Sequence, residues 1–182
     1  MEWVLGVLVG VSLSAACGFR VFVPMLVMSI AVHSGHLEPA SGFEWLGSWP
    51  ALMGFGLATV IEIVAYFVPV VNNVLDVIAT PAAAIAGTIL TASMVGDLSP
   101  VFRWILAAVA GGAVAGGVQL ATVSVRSAAT PTGTSGMVSA AEDGAAVATS
   151  LLAITVPIIA VGLLVLLGVF LVKMKHLRLN RV

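Results

Sequence analysis

Charge is what this chain has least of: 7 Lys and Arg and 8 Asp and Glu among 182 residues, 8% in all. Soluble domains carry about 25% charged residues, so a water-exposed surface cannot be built from this composition. The formal net charge of -1 excludes a generally basic surface, and no Lys or Arg run follows a phosphate backbone, which removes nucleic acid from the list of partners. Cysteine is almost absent: Cys17 alone excludes an internal disulfide and any cysteine-built zinc or iron–sulfur site, leaving it a small packing residue. His33, His36 and His176 are the only histidines. The first two, at i and i+3, would bind a metal only with further ligands, and none is in view. We therefore expect no metal, no cofactor and no catalytic constellation, since nucleophile–base pair, metal triad and phosphate loop are all missing.

What is abundant is apolar sequence. It makes up 60% of the chain, with a mean hydropathy of +1.19. A soluble core could hide only part of it, so lipid is the solvent this composition fits. Met1-Glu2-Trp3 enters apolar sequence without the positive stretch of a secretory leader, so the first helix is expected to stay in place. Lys173, Lys175, His176, Arg178 and Arg181 follow the last apolar run, and the positive-inside rule puts that tail in the cytoplasm of a plasma-membrane protein.

Apolar runs predict helices over about 3–17, 21–32, 51–68, 81–95, 102–125 and 146–172, with a polar loop over 34–50 whose Trp45 and Trp49 suit an interface. The expectation is an all-α polytopic transmembrane bundle of about six apolar segments, one domain over 1–182 with candidate halves 1–98 and 99–182. A crossing takes ~20 residues. The first, second and fourth runs are shorter, which suggests broken or re-entrant helices.

Three breaks interrupt the pattern. Gly18 to Pro24 brackets Arg20, Pro69 to Asp76 contains Asn72 and Asn73 and closes at Thr80-Pro81, and Thr130 to Gly144 ends in Glu142-Asp143-Gly144. Irregular backbone at membrane depth needs burial in protein or a water-filled cavity, so these breaks mark candidate cavity walls. Ser14-Ala15-Ala16-Cys17 before the first echoes Ser127-Ala128-Ala129-Thr130 before the third, each with an arginine close by. Helix breaks at corresponding places in two halves point to a transporter site near the midplane, here as a candidate inverted repeat.

A charge at bilayer depth costs at least ~2.5 kcal/mol by insertion scales, so it persists where it has a partner or lines water. Arg20, Glu62, Asp76, Arg126, Glu142 and Asp143 are the ionisable side chains in or beside apolar runs. Each also has a plainer use. Glu62 fits one end of a buried pair with Arg20 or Arg126, or an ion or proton relay. Asp76 with Asn72 and Asn73 can converge on a cation or cap a helix after Pro81, capping being the commoner use. Glu142 and Asp143 suit the positive N-terminal end of the last helix. Thr130, Thr132, Thr134 and Ser135 in a Gly-containing turn can cradle an ion or form a plain polar loop. Gly133-Thr134-Ser135-Gly136 spells an intramembrane-protease pattern, but lacks a histidine base on another helix.

Gly18-Phe19-Arg20, the stretch from Glu62 to Asp76 around Pro69 and Asn72-Asn73, and Ser139 to Asp143 together resemble the bacterial membrane family catalogued as domain of unknown function 4126. The resemblance spans most of the chain and implies a shared architecture without established chemistry. In that family a charged residue tends to precede the proline break, where Ala65-Tyr66-Phe67 stands here, and an Arg-Pro follows, where only Thr80-Pro81 is found.

The pairs Gly6/Gly10, Ala83/Gly87 and Gly112/Gly116 are small-xxx-small steps that let helices approach closely in lipid. They fit packing within a chain or in a homo-oligomer that encloses a cavity. Two functions remain: a small channel or secondary transporter for an ion or small polar solute, or a noncatalytic subunit that associates with lipid and docks membrane proteins.

Overall fold

The computed structural model describes residues 2–96, 98–157, 159, 162, 166 and 173, with no strand among them. The helices are α1 (Glu2–Cys17), α2 (Phe22–His33), α3 (Trp49–Tyr66), α4 (Pro69–Met94), α5 (Pro100–Leu106), α6 (Ala113–Ala129) and α7 (Ser135–Thr155). A π-helical stretch, Ala107–Gly112, joins α5 to α6 without a break. Among the described residues, four helical runs are long and apolar enough to cross a bilayer: Trp49–Tyr66, Val74–Met94, Pro100–Thr132 and Ser135–Thr155. This is a multi-pass membrane protein by composition, length and fold. α1 and α2 rise only ~24 and ~18 Å at 1.5 Å per residue, short of the ~30 Å hydrocarbon core.

The short α1 is the centre of the bundle. Ser12, Leu13, Ser14, Ala15, Ala16 and Cys17 are fully buried, whereas α3 turns Met53, Leu57, Val60, Ile61 and Val64 outward. Such an arrangement inverts the soluble pattern: small and polar side chains fill the interior and branched apolar ones meet the lipid. α6 buries Ala115, Gln119, Thr122 and Arg126 along one face, and α7 buries Ser139, Glu142, Ala146, Ser150 and Ala153.

Glycines fix how closely the helices approach. A Cβ on Gly10 would lie 2.8 Å from the Thr91 Cα, and one on Gly87 would lie 2.6 Å from the Ala115 Cβ and 2.9 Å from the Gly111 carbonyl oxygen. Gly6 abuts the Met94 carbonyl in the same way. Ser14 Oγ lies 2.6 Å from the Gly87 carbonyl and 2.8 Å from Thr91 Oγ1, a polar seam between α1 and α4. The small-residue faces thus meet within one chain.

These contacts also give direction. Gly6 against Met94, Gly10 against Thr91 and Ser14 against Gly87 make α1 antiparallel to α4, and Gly111 against Thr91 with Gly116 against Ala84 make the run into α6 antiparallel to α4 as well. Hence α1 and α6, which carry the Ser-Ala-Ala echo, run the same way, and the echo is not that of an inverted repeat. One end of the bundle holds the 34–48 loop and the turn after α4, tied together by the Ala40 N–H donating to the Ser93 carbonyl at 2.7 Å. Trp45, Trp49 and Trp104 stand exposed at this end, as an interfacial belt requires. In the same loop the Glu44 carboxyl accepts from its own N–H and from Gly42, which holds its pKa below the usual value. The opposite end, called here the junction end, has only short links: Gly18–Val21, Phe67–Val68 and Thr130–Thr134.

Two expected breaks are helical instead. α4 begins at Pro69, where a missing N–H is harmless, and continues through Pro81 to Met94. Asn72, Asn73 and Asp76 therefore lie in its first two turns and do not cap a helix starting after Pro81. α7 begins at Ser135, so Glu142 and Asp143 lie two turns inside it and not at its mouth. Lipid explains both: a backbone with no water to bond stays helical despite Gly, Ser and an internal Pro. Most of the basic C-terminal tail and much of 156–172 fall outside the described residues.

Gly87→Ala is expected to lower stability by about 1–3 kcal/mol through overpacking. Gly144→Ala, with open space around its Cβ, should leave stability unchanged or raise it by up to about 1 kcal/mol. Reversible SDS unfolding of the two variants checks this.

Candidate charged site at the junction end

All six ionisable residues come together. Arg20, in the link after α1, is 1% exposed and cannot be hydrated, so each of its donors must be satisfied by protein. Nε donates to Asp143 Oδ1 at 2.6 Å, Nη1 to Glu142 Oε2 at 3.0 Å and to the Phe19 carbonyl at 3.2 Å, and Nη2 to the Ser139 carbonyl at 3.1 Å. Arg126, also 1% exposed, reaches the same carboxylate from α6: Nη2 donates to Glu142 Oε2 at 2.6 Å, and Nη1 pairs with Asp76 on α4. Glu142 Oε2 is thus shared by two guanidiniums from different elements.

Between them lies Tyr66, the only tyrosine in the chain. The Arg20 guanidinium carbon sits 4.1 Å from its ring centroid and that of Arg126 4.4 Å away. A π face attracts a cation by ~2 kcal/mol or more when both are desolvated. Tyr66 lets two like charges stand close together inside the protein. Sequence reasoning placed no role on it; the usable signal was a lone tyrosine four residues after Glu62 in an otherwise apolar helix.

Glu62 does a different job. The first N–H groups of a helix have no intrahelical acceptor, and α2 has no side-chain cap of its own. Glu62 reaches across from α3 and accepts from Val21 N–H at 2.8 Å and Phe22 N–H at 3.0 Å. It also places a negative charge on the positive end of the α2 dipole. The tight turn before it depends on Gly18, whose missing side chain admits the Ala115 carbonyl of α6 and whose own carbonyl accepts from Thr122 Oγ1 at 3.2 Å.

Thr130, Thr132 and Thr134 do not join the cluster. Thr130 Oγ1 donates to the Arg126 carbonyl at 2.9 Å, and Thr132 and Thr134 both donate to the Ala129 carbonyl, at 2.8 and 3.4 Å, so their hydroxyls close the C-terminal end of α6. Gly133, at φ +72, supplies the left-handed turn that this closure requires. Ser135 opens α7. The side chains of Asn72 and Asn73 lie outside the described residues. Among the described residues no group of three His, Cys, Asp or Glu could hold a metal ion.

The cluster is off-centre. Asp76 lies seven residues after Pro69 and Glu142 seven after Ser135, about 10 Å in from the junction end of their helices. Along these helices the cluster lies about two turns from one end. Asp143 and Asp76 side chains keep 20% and 12% of their surface exposed, whereas Glu142 keeps 6%.

Glu62→Ala removes two charge-assisted bonds and should cost about 1.5–3 kcal/mol. Tyr66→Phe keeps the ring between the arginines and should stay within about 1 kcal/mol of wild type, while Tyr66→Leu removes it and should cost about 2 kcal/mol or more. Equal losses for Phe and Leu in SDS unfolding would contradict the cation–π role.

No curated protein and no solved structure is detectably similar to the chain. Residues 7–176 match the family described as domain of unknown function (DUF4126), and that match takes in α1 from Val7 onward, all of α2 to α7 and all six members of the charged cluster. The chain belongs to the DUF4126 family.

Proposed function

We propose that this protein is a small transporter or channel that moves an ion or small polar solute across a plasma membrane, using the charged cluster as its binding or gating site. The observation that carries the reading is a polar, ionised interior in a bundle whose outside suits lipid. Gln119, Thr122 and Arg126 on α6 and Ser139, Glu142 and Ser150 on α7 face inward. Ser12 Oγ, Gln119 Nε2, Ser139 Oγ and Glu142 Oε1 are buried without a partner among the described residues. Purely structural interiors leave few such groups, because each costs about 1–3 kcal/mol unless water or a solute meets it.

The geometry also supports an order of events. The site lies close to the junction end, where Asp143 and Asp76 retain exposure. Toward the other end the way is closed by the contacts of Gly10 with Thr91 and of Gly87 with Ala115, and by the Ser14–Thr91 seam. A solute therefore enters from the junction end, and passage requires α1 and α4 to part along that seam. One chain encloses the cluster, so the proposal needs no second copy. The basic tail, by the positive-inside rule, assigns the C-terminus to the cytoplasm.

A second reading has its own support. Each guanidinium bonds carboxylates on other elements, as a lock between helices in a noncatalytic membrane subunit would. Flux into liposomes, screened over protons, alkali cations and small anions, separates the two. Asp143→Asn alters a member of the cluster whose side chain keeps 20% exposure, so folding should survive; at least a tenfold loss of flux is expected. Absence of wild-type flux for every solute, with Asp143→Asn only less stable, would favour the lock.

A further inference from the structure

Glu142 differs from its neighbours in one respect. Its Oε2 takes both guanidinium contacts, at 3.0 Å from Arg20 Nη1 and 2.6 Å from Arg126 Nη2, while its Oε1 is buried and has no donor among the described residues. The residue as a whole is 5% exposed. The other carboxylates are provided for: Glu62 uses both oxygens on α2, and Asp143 and Asp76 each pair with one arginine at the better exposed edge.

Charge points the same way. Arg20 is matched by Asp143 and Arg126 by Asp76, so Glu142 is a third carboxylate against two guanidiniums, and Glu62 lies within electrostatic reach of Arg20 and Asp143. A buried excess negative charge is costly and is removed by a cation or a proton. Among the described residues no three-ligand metal group exists, whereas a proton needs only one oxygen.

We propose that Glu142 is a proton-binding carboxyl that takes up one proton at Oε1, and that this proton is the ion moved or coupled in the transport reading above, on which the proposal rests. Uptake forms one O–H bond from a water-borne proton arriving at the junction end, and release returns it to water. Ser139 Oγ, buried one helical turn earlier on α7 and without a partner among the described residues, is the acceptor assigned to that hydroxyl. The charged and titratable groups around Glu142 are Arg20 in the α1–α2 link, Glu62 and Tyr66 on α3, Asp76 on α4, Arg126 on α6 and Asp143 on α7; α2 brings only its N-terminal amides. A neutral Glu142 accepts from two guanidiniums more weakly than a carboxylate does. Protonation therefore weakens the bond that ties Arg126 of α6 to α7 and one of the three that tie Arg20 to it, the other two running to Asp143 and the Ser139 carbonyl.

Infrared titration of the full chain in nanodiscs reads the proton directly and needs no flux. The wild type should show one protonated buried carboxyl whose band disappears as pH is raised, lost in Glu142→Gln and kept in Glu44→Gln. Persistence of the band in folded Glu142→Gln, or its absence from the wild type, overturns the proposal. If Glu142→Gln does not fold, wild type labelled with 13C at the glutamate carboxyls and Glu62→Gln decide. The band should shift with the label and survive in Glu62→Gln; an unshifted band, or one lost with Glu62, overturns the assignment. A titrating Glu142 with no flux of any kind removes the coupling and the transport reading together. Flux without such a band removes this proposal and leaves transport standing.

Discussion

Two guanidiniums that lipid cannot hydrate set the terms for the rest of this structure. Arg20 and Arg126 must find every partner inside the protein, and they do so around one carboxylate oxygen of Glu142 and one ring, Tyr66. That requirement draws the α1–α2 link, α3, α4, α6 and α7 to a single point. It also explains the local irregularities: the turn at Gly18, the short link at Phe67–Val68 and the hydroxyl-closed end of α6 all lie beside it. A break in the helices is placed where the charge cluster needs backbone groups, as when Glu62 takes the free N–H groups of α2.

The other half of the bundle is held by different physics. There is no hydrophobic drive between helices in lipid, so contact area and hydrogen bonds must supply cohesion. α1, α4 and the π-helical stretch meet through Gly10, Gly87, Gly111 and Gly112, with Ser14 and Thr91 bonding across the seam. The result is a molecule dense and closed at the end bearing the tryptophans, and polar and charged near the junction end. On the proposed transport reading, such a one-sided site corresponds to a resting state open to one compartment, and the seam is the element that alternating access would have to move.

Much of this was legible in the sequence for a single reason: in an apolar chain every charge is expensive and therefore informative. Arg20, Glu62, Asp76, Arg126, Glu142 and Asp143 stood out singly, and the structure unites them. Their pairing was not legible, because the partners are far apart in the chain, as Arg20 and Glu142 are. Helix boundaries misled where soluble-protein habits were applied. Pro81 and the Gly- and Ser-rich 130–144 stretch read as breaks, yet a backbone without water keeps its internal hydrogen bonds. Tyr66 carried no expected role, since a single aromatic in a membrane helix ordinarily signals an interface, not a buried spacer between cations. The Ser-Ala-Ala echo misled about symmetry because four small residues carry no direction; the antiparallel glycine contacts of α4 supply it.

The central claim is that Arg126 and Glu142 stabilise the bundle as one coupled unit. A double-mutant cycle tests it most directly, with Arg126→Met, Glu142→Leu and the pair compared by reversible SDS unfolding. Arg126→Met strands buried carboxylates and is expected to cost about 3–5 kcal/mol; Glu142→Leu takes the shared acceptor from both guanidiniums and is expected to cost about 1.5–3 kcal/mol; the pair should cost clearly less than the sum. Strict additivity would contradict the account, since it would mean that the two side chains do not meet.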